Sequence, residues 1–309
     1  MTTGPALAFV FVAGIVTALA TGLGALPFFL FGDISDRWNV ALWGLASGIM
    51  FAASGFGLIS EGLAASTGFP ALLVAGGVAG VVLVVVTDTL LDRLDLPEDS
   101  RAPANIEASE APPDGRPAGA EAADTSGTAT HSPGETPTVS AAVAEGDLRT
   151  LVLILGVLTV HSFPEGVAIG VSFAELGLAG GVELFGLAVP VLAVFITIAI
   201  SIHNVPEGVA ISIPLRAMGV SEWRMVGAAV FSSLPQPLGA VIAFVFVRWA
   251  KAFLPFGFGF AAGAMVYLVL AEFIPEALAV GANLKGGGHR ELVGGVIAGI
   301  TLMLPLVVV

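Results

Sequence analysis

Eight long apolar runs constrain this chain more than anything else in it. They lie at roughly 5–31, 40–60, 70–91, 149–173, 184–213, 225–248, 254–280 and 291–309. A bilayer core of ~30 Å takes about 20 apolar residues per helix. The runs and their connections use nearly all of the 309 residues, so no second folded domain is expected. With 56% hydrophobic and 11% charged residues, the fold class is an all-α membrane protein with eight transmembrane helices. The start, MTTGPALAF, has no basic residue ahead of its apolar run, so the first run is expected to be a true span and not a cleaved signal. There is no cysteine, which excludes disulfides, thiolate metal sites and cysteine nucleophiles.

Charge is concentrated in one place. Residues 92–148 hold 12 of the 24 acidic residues and three basic ones. Rich in Pro, Ala, Gly, Ser and Thr, the stretch 93–148 cannot bury enough apolar surface to offset the cost of ordering. It is read as a disordered acidic linker within a single transmembrane domain, 1–309. Lys and Arg set the orientation. With the N-terminus outside, nine basic residues fall on the inner side and two, Arg248 and Lys251, on the outer. Both termini are then extracytoplasmic and the linker cytoplasmic, in a multi-pass protein of the cell membrane. A net charge of −13 gives no basic surface for nucleic acid.

Two repeats organise the runs. Run four contains HSFPEGVAIG (161–170) and run five HNVPEGVAIS (203–212), an offset of 42. In runs two and seven, Gly48, Met50 and Glu61 match Gly263, Met265 and Glu276. Under the orientation above, those two helices cross the bilayer in opposite directions. Inverted repeats are a common plan of secondary transporters, with the site near the midplane. The expected arrangement is 3+2+3: runs 1–3 and 6–8 as inverted repeats, runs 4 and 5 between them.

The paired motif carries the chemistry. His161 and Glu165 are four apart and share a helix face, as do His203 and Glu207. An ionisable group at the bilayer centre costs at least ~2.5–3.5 kcal/mol. Four of them demand each other or a cation. Imidazole with carboxylate suits Zn²⁺ and other borderline divalent ions. Pro164 and Pro206 remove the amide hydrogens that would bond Val160 and Ile202, leaving backbone oxygens beside each histidine. A purely structural His–Glu cluster tying two helices together is the plainer alternative. Packing alone, however, does not call for the same four-letter chemistry twice. A membrane metalloprotease would need H-E-x-x-H, which is absent.

At these residues the chain resembles the ZIP family of divalent metal transporters, most closely its bacterial GufA-like branch. TALATGLGALPFF (17–29) and AGAMVY (262–267) add to the resemblance. The resemblance implies entry of Zn²⁺, or of Fe²⁺, Mn²⁺ or Cd²⁺, into the cytoplasm as transported substrate. It implies no cofactor and no enzymatic step, an elevator-like shift of helices 1, 4, 5 and 6, and a tendency to form homodimers. It maps a first metal position to His161, Glu165, His203 and Glu207. A second position keeps Asn204 but has Ser162 where the family has Asn, and Gln236 where it commonly has Glu. Two readings remain beside it: a metal channel or exporter, and an intramembrane metal-dependent hydrolase. Smaller candidates are Glu61, Glu272 and Glu276 as guides for cations, with headgroup-level solvation the alternative. Asp88, Asp92 and His289 are read as ordinary end and loop residues.

Overall fold

A computed structural model describes residues 3–30, 34–92, 162–178, 181–217 and 220–307. The linker, the first half of run four and His161 lie outside them. The described chain is almost wholly helical. Helix α1 covers Thr3–Leu23 and ends in a 3₁₀ turn, Leu26–Phe29. Helix α2 starts as Asp36–Ala52, widens into a π-helical turn at Ala53–Ile59 and finishes as Ser60–Ala64. Helix α3 is Ala71–Asp92 and α4 is residues 162–172. Helix α5 is Val191–Ala217, and α6 runs as Glu222–Ser232 and Pro235–Trp249. Helix α7 is Leu254–Leu268, a π turn at Val269–Phe273, and Ile274–Val280; α8 is His289–Val307.

Among the described residues, five stretches are long and apolar enough to cross a membrane. They are Gly4–Phe29, Asp36–Ala64, Val191–Ile213, Glu222–Trp249 and Lys251–Asn283, with Ala71–Thr87 a shorter apolar helix. Large apolar side chains such as Val12, Leu19, Val78, Val82, Ile242 and Ile297 point outward, as suits a hydrocarbon solvent.

Two differences from the sequence expectation are local. Run five was read as helical from 184, but helix begins only at Val191. Before it, Val182–Leu184 and Leu187–Val189 pair as an antiparallel hairpin. Its two turn residues, Phe185 and Gly186, both have positive φ, at 52° and 76°. Such a turn matches strand twist and closes a two-residue hairpin. Pro190 then supplies the fixed φ that opens α5. Run six, read as one helix, breaks at Ser233–Leu234. Pro235 and Pro237 lack amide hydrogens, so neither can bond back into the preceding turn.

The helices pair crosswise along the chain. Helix α2 lies against α8, where a Cβ on Gly44 or Gly48 would overlap the carbonyls of Leu292 or Val296. Helix α7 lies against α3 in the same manner: Gly259 and Gly263 meet the carbonyls of Leu73 and Gly77. Small residues permit this backbone approach, which replaces the hydrophobic drive that is missing between helices in lipid. Helix α5 packs on α1, with Gly208 at Thr21, and α4 packs on α6, with Gly166 at Gln236. The two contacts use the glycine of the same motif. The π turns of α2 and α7 fall three and four residues after Met50 and Met265, between the matched Met and Glu of each helix.

Candidate metal site

Helix α5 passes unbroken through Pro206 and presents His203 and Glu207 one turn apart. From α4, Glu165 faces them. Glu165 and His203 are 2% and 1% exposed, and His203 Nε2 is 3.1 Å from Glu165 Oε1. Glu207 is half-buried, and one ligand atom from each of the three residues lies within 4.8 Å of the others. Two carboxylates and an imidazole this close, two of the three fully buried, suit a divalent cation.

Around this cluster runs a chain of amides. Asn204 Nδ2 donates to the Thr17 carbonyl of α1 at 2.7 Å and to Gln236 Oε1 at 3.1 Å. Gln236 Nε2 in turn donates to Glu165 Oε2. Both amide side chains are fully buried. The Pro-Gln-Pro break in α6 sets Gln236 in the first turn of its helix, with its backbone N–H on the Ser233 carbonyl at 3.0 Å. Ser162 turns to the same break, its hydroxyl donating to the Ser232 carbonyl at 3.1 Å. Ser233 shares a 2.7 Å hydrogen bond with Thr21 of α1.

The structure thus brings together Glu165, His203 and Glu207, with Gln236 on Glu165 and Asn204 on Gln236. Ser162 is buried at the α6 break, and His161 falls outside the described residues. Sequence reasoning missed two neighbours. Thr17 contributes a backbone carbonyl, for which no side-chain pattern could signal. Phe273, from the π turn of α7, stacks on the His203 ring with centroids 5.4 Å apart. Of the smaller candidates, Glu61 is exposed and lines a cavity of about 400 Å³ with Glu175, Ser172, Pro190 and Phe258. Glu272 and Glu276 are half-buried on α7. His289, read as a loop residue, is instead the exposed first residue of α8, its Nδ1 3.0 Å from the Gly286 carbonyl of the preceding turn.

These features define a helical membrane protein with a buried ligand set suited to a divalent metal ion. The sequence profile described as ZIP zinc transporter matches residues 7–306, and the chain belongs to that family. Zinc transporter ZIPB of Bordetella bronchiseptica is 32% identical over 92% of this chain and 76% of its own length. Zinc transporter GufA of Myxococcus xanthus is 37% identical over 51% of this chain and 55% of its own. A protein of Arabidopsis thaliana is 33% identical over 84% of this chain and 33% of its own. The chain therefore spans from a third to about half the length of the last two.

Proposed function

We propose that this chain carries divalent transition-metal ions, Zn²⁺ foremost, across the cell membrane into the cytoplasm. The observation that carries the proposal is the convergence of Glu165, His203 and Glu207 within 4.8 Å inside the bundle. The names of GufA and ZIPB as zinc transporters support Zn²⁺ as cargo. His161, one turn before Glu165, is the fourth ligand on this reading. An ion held there would exchange water for imidazole nitrogen and carboxylate oxygen, a mixed N/O set of the kind Zn²⁺ takes.

Eight spans in a 3+2+3 inverted arrangement are part of the proposal. Supporting it are the matched π turns of α2 and α7 and the mirrored glycine contacts of α2 with α8 and α7 with α3. Both termini lie outside and the acidic linker inside, by the distribution of Lys and Arg. Helices α1, α4, α5 and α6 would move together against the rest, alone or within a homodimer. The amide chain and the motif-glycine contacts bind these four helices to one another.

The test is Zn²⁺ uptake by proteoliposomes containing only this protein. His203→Ala and Glu207→Ala should insert normally and take up nothing above empty vesicles. Uptake at the unmodified rate by both variants would end the proposal.

A further inference from the structure

We infer that Gln236 is a positioning residue that holds Glu165 to one metal ion and fills the place a second ion would need. The inference rests on reading the Glu165–His203–Glu207 cluster as the transport site.

The direction of the hydrogen bonds carries the argument. The Thr17 carbonyl can only accept, so Asn204 must present its NH₂ there. That same nitrogen has a second hydrogen, and Gln236 must answer it with its carbonyl oxygen. The amide of Gln236 is thereby oriented: its NH₂ end faces Glu165 Oε2 and donates to it. One backbone oxygen on α1 thus fixes which way two amides face, on α5 and α6, and aims a donor at Glu165 of α4.

The consequence falls on Glu165. Its Oε2 is engaged by an amide hydrogen, while Oε1 faces His203 Nε2 at 3.1 Å. An ion entering between His203 and Glu165 meets one carboxylate oxygen, not two. To bridge two ions, Glu165 would have to release Oε2, and Gln236 would then point a hydrogen at a cation. Gln236 cannot turn to offer its oxygen without setting its NH₂ against that of Asn204. Asn204 and Gln236 are at 0% exposure and Glu165 at 2%, so breaking either link would leave a buried polar group unpaired. Two dications sharing Glu165 and Glu207 would also carry uncompensated charge in a low-dielectric interior.

Gln236 therefore acts through Glu165, as the partners of metal-ligating groups commonly do; removing such a partner costs about 10–100-fold in metal affinity or activity. The experiment uses the full chain in detergent, loaded with Zn²⁺, desalted and assayed by elemental analysis. The six methionine sulfurs count chains. One zinc per chain is expected in the unmodified protein and two in Gln236→Glu. Gln236→Met, which keeps length but loses both hydrogen bonds, should bind one zinc about 10–100-fold more weakly. X-ray absorption at the zinc edge of the unmodified protein should lack the metal–metal distance of ~3.5–4 Å that marks two-metal sites. Two zinc ions per unmodified chain would overturn the inference. So would a single zinc in well-folded Gln236→Glu, or undiminished affinity in Gln236→Met. Should Gln236→Glu fail to fold, the count in the unmodified chain and the affinity of Gln236→Met decide alone. If the unmodified chain holds no zinc and takes none up in vesicles, the transport reading itself has failed, an outcome distinct from finding two.

Discussion

The His203 imidazole and the Phe273 ring lie nearly parallel, 16° apart with centroids at 5.4 Å. Phe273 is buried in the π turn of α7 and also touches Trp43 of α2, ring centroids 4.9 Å apart. Helix α5, which carries His203 and Glu207, is thus seated on an aromatic pair from the two helices that carry π turns. A π turn adds a residue to one helical turn and re-aims the side chains after it, a feature that recurs at functional sites.

Phe273→Leu keeps an apolar filler but removes the flat surface. Aromatic contacts are worth ~0.5–1.5 kcal/mol beyond their area, or about two- to tenfold in an equilibrium constant. The KM for Zn²⁺ uptake should rise by that factor. Kinetics of metal uptake in proteoliposomes check this, and an unchanged KM would remove Phe273 from the account of the site.

Glu61 and Glu175 face the same cavity of about 400 Å³, where α4 ends and α5 begins. Their charges should raise the local concentration of cations there. Replacing both with Gln should raise KM at low salt and leave Vmax alone. Added salt should shrink the difference, because screening over ~10 Å at 0.1 M already masks exposed charges. A defect that persists unchanged in high salt would contradict an electrostatic role.

Gly48→Ala and Gly263→Ala should each destabilise the fold by roughly 1–3 kcal/mol, since a methyl there meets backbone that cannot swing aside. Gly55→Ala, in the π turn of α2, has open space around its Cβ and should be near neutral. Thermal unfolding in detergent distinguishes them. Equal midpoints for all three would mean that the glycine seams are looser than described.

Shortening residues 98–144 to a brief Gly/Ser link should leave uptake and thermal stability close to those of the intact chain. The segment has no apolar face to dock and His131 as its sole imidazole. A large fall in either quantity would reveal a docked role.

The membrane class was legible because hydrocarbon imposes a length and a composition that nothing else mimics. Glu165, His203 and Glu207 were legible because isolated ionisable residues in apolar runs need partners, and the motif occurs twice. The hairpin at 182–189 was hidden by its own composition. Leu184, Leu187 and Val189 read as a helix entrance, and only Gly186 and Pro190 hinted otherwise. Gln236 was legible as a lost carboxylate, but its part as a link between Glu165 and Asn204 was not. That depends on which way two amides face across three helices, which is a matter of tertiary geometry. Phe273 and the Thr17 carbonyl were silent for the same reason.

The crosswise pairing of α2 with α8 and of α3 with α7 has a consequence for biosynthesis. When the ribosome has delivered α3, Gly44 and Gly48 have no neighbour to receive them, and they wait until the last helix is inserted. Nor can α3 seat Gly76 and Gly80 before α7 arrives. Neither half of the described chain can close its seams alone; they close only once α7 and α8 are in place. A chain cut short before His289 would leave Gly44 and Gly48 without the helix that receives them, so truncation there should cost more stability than the lost residues' own contacts suggest.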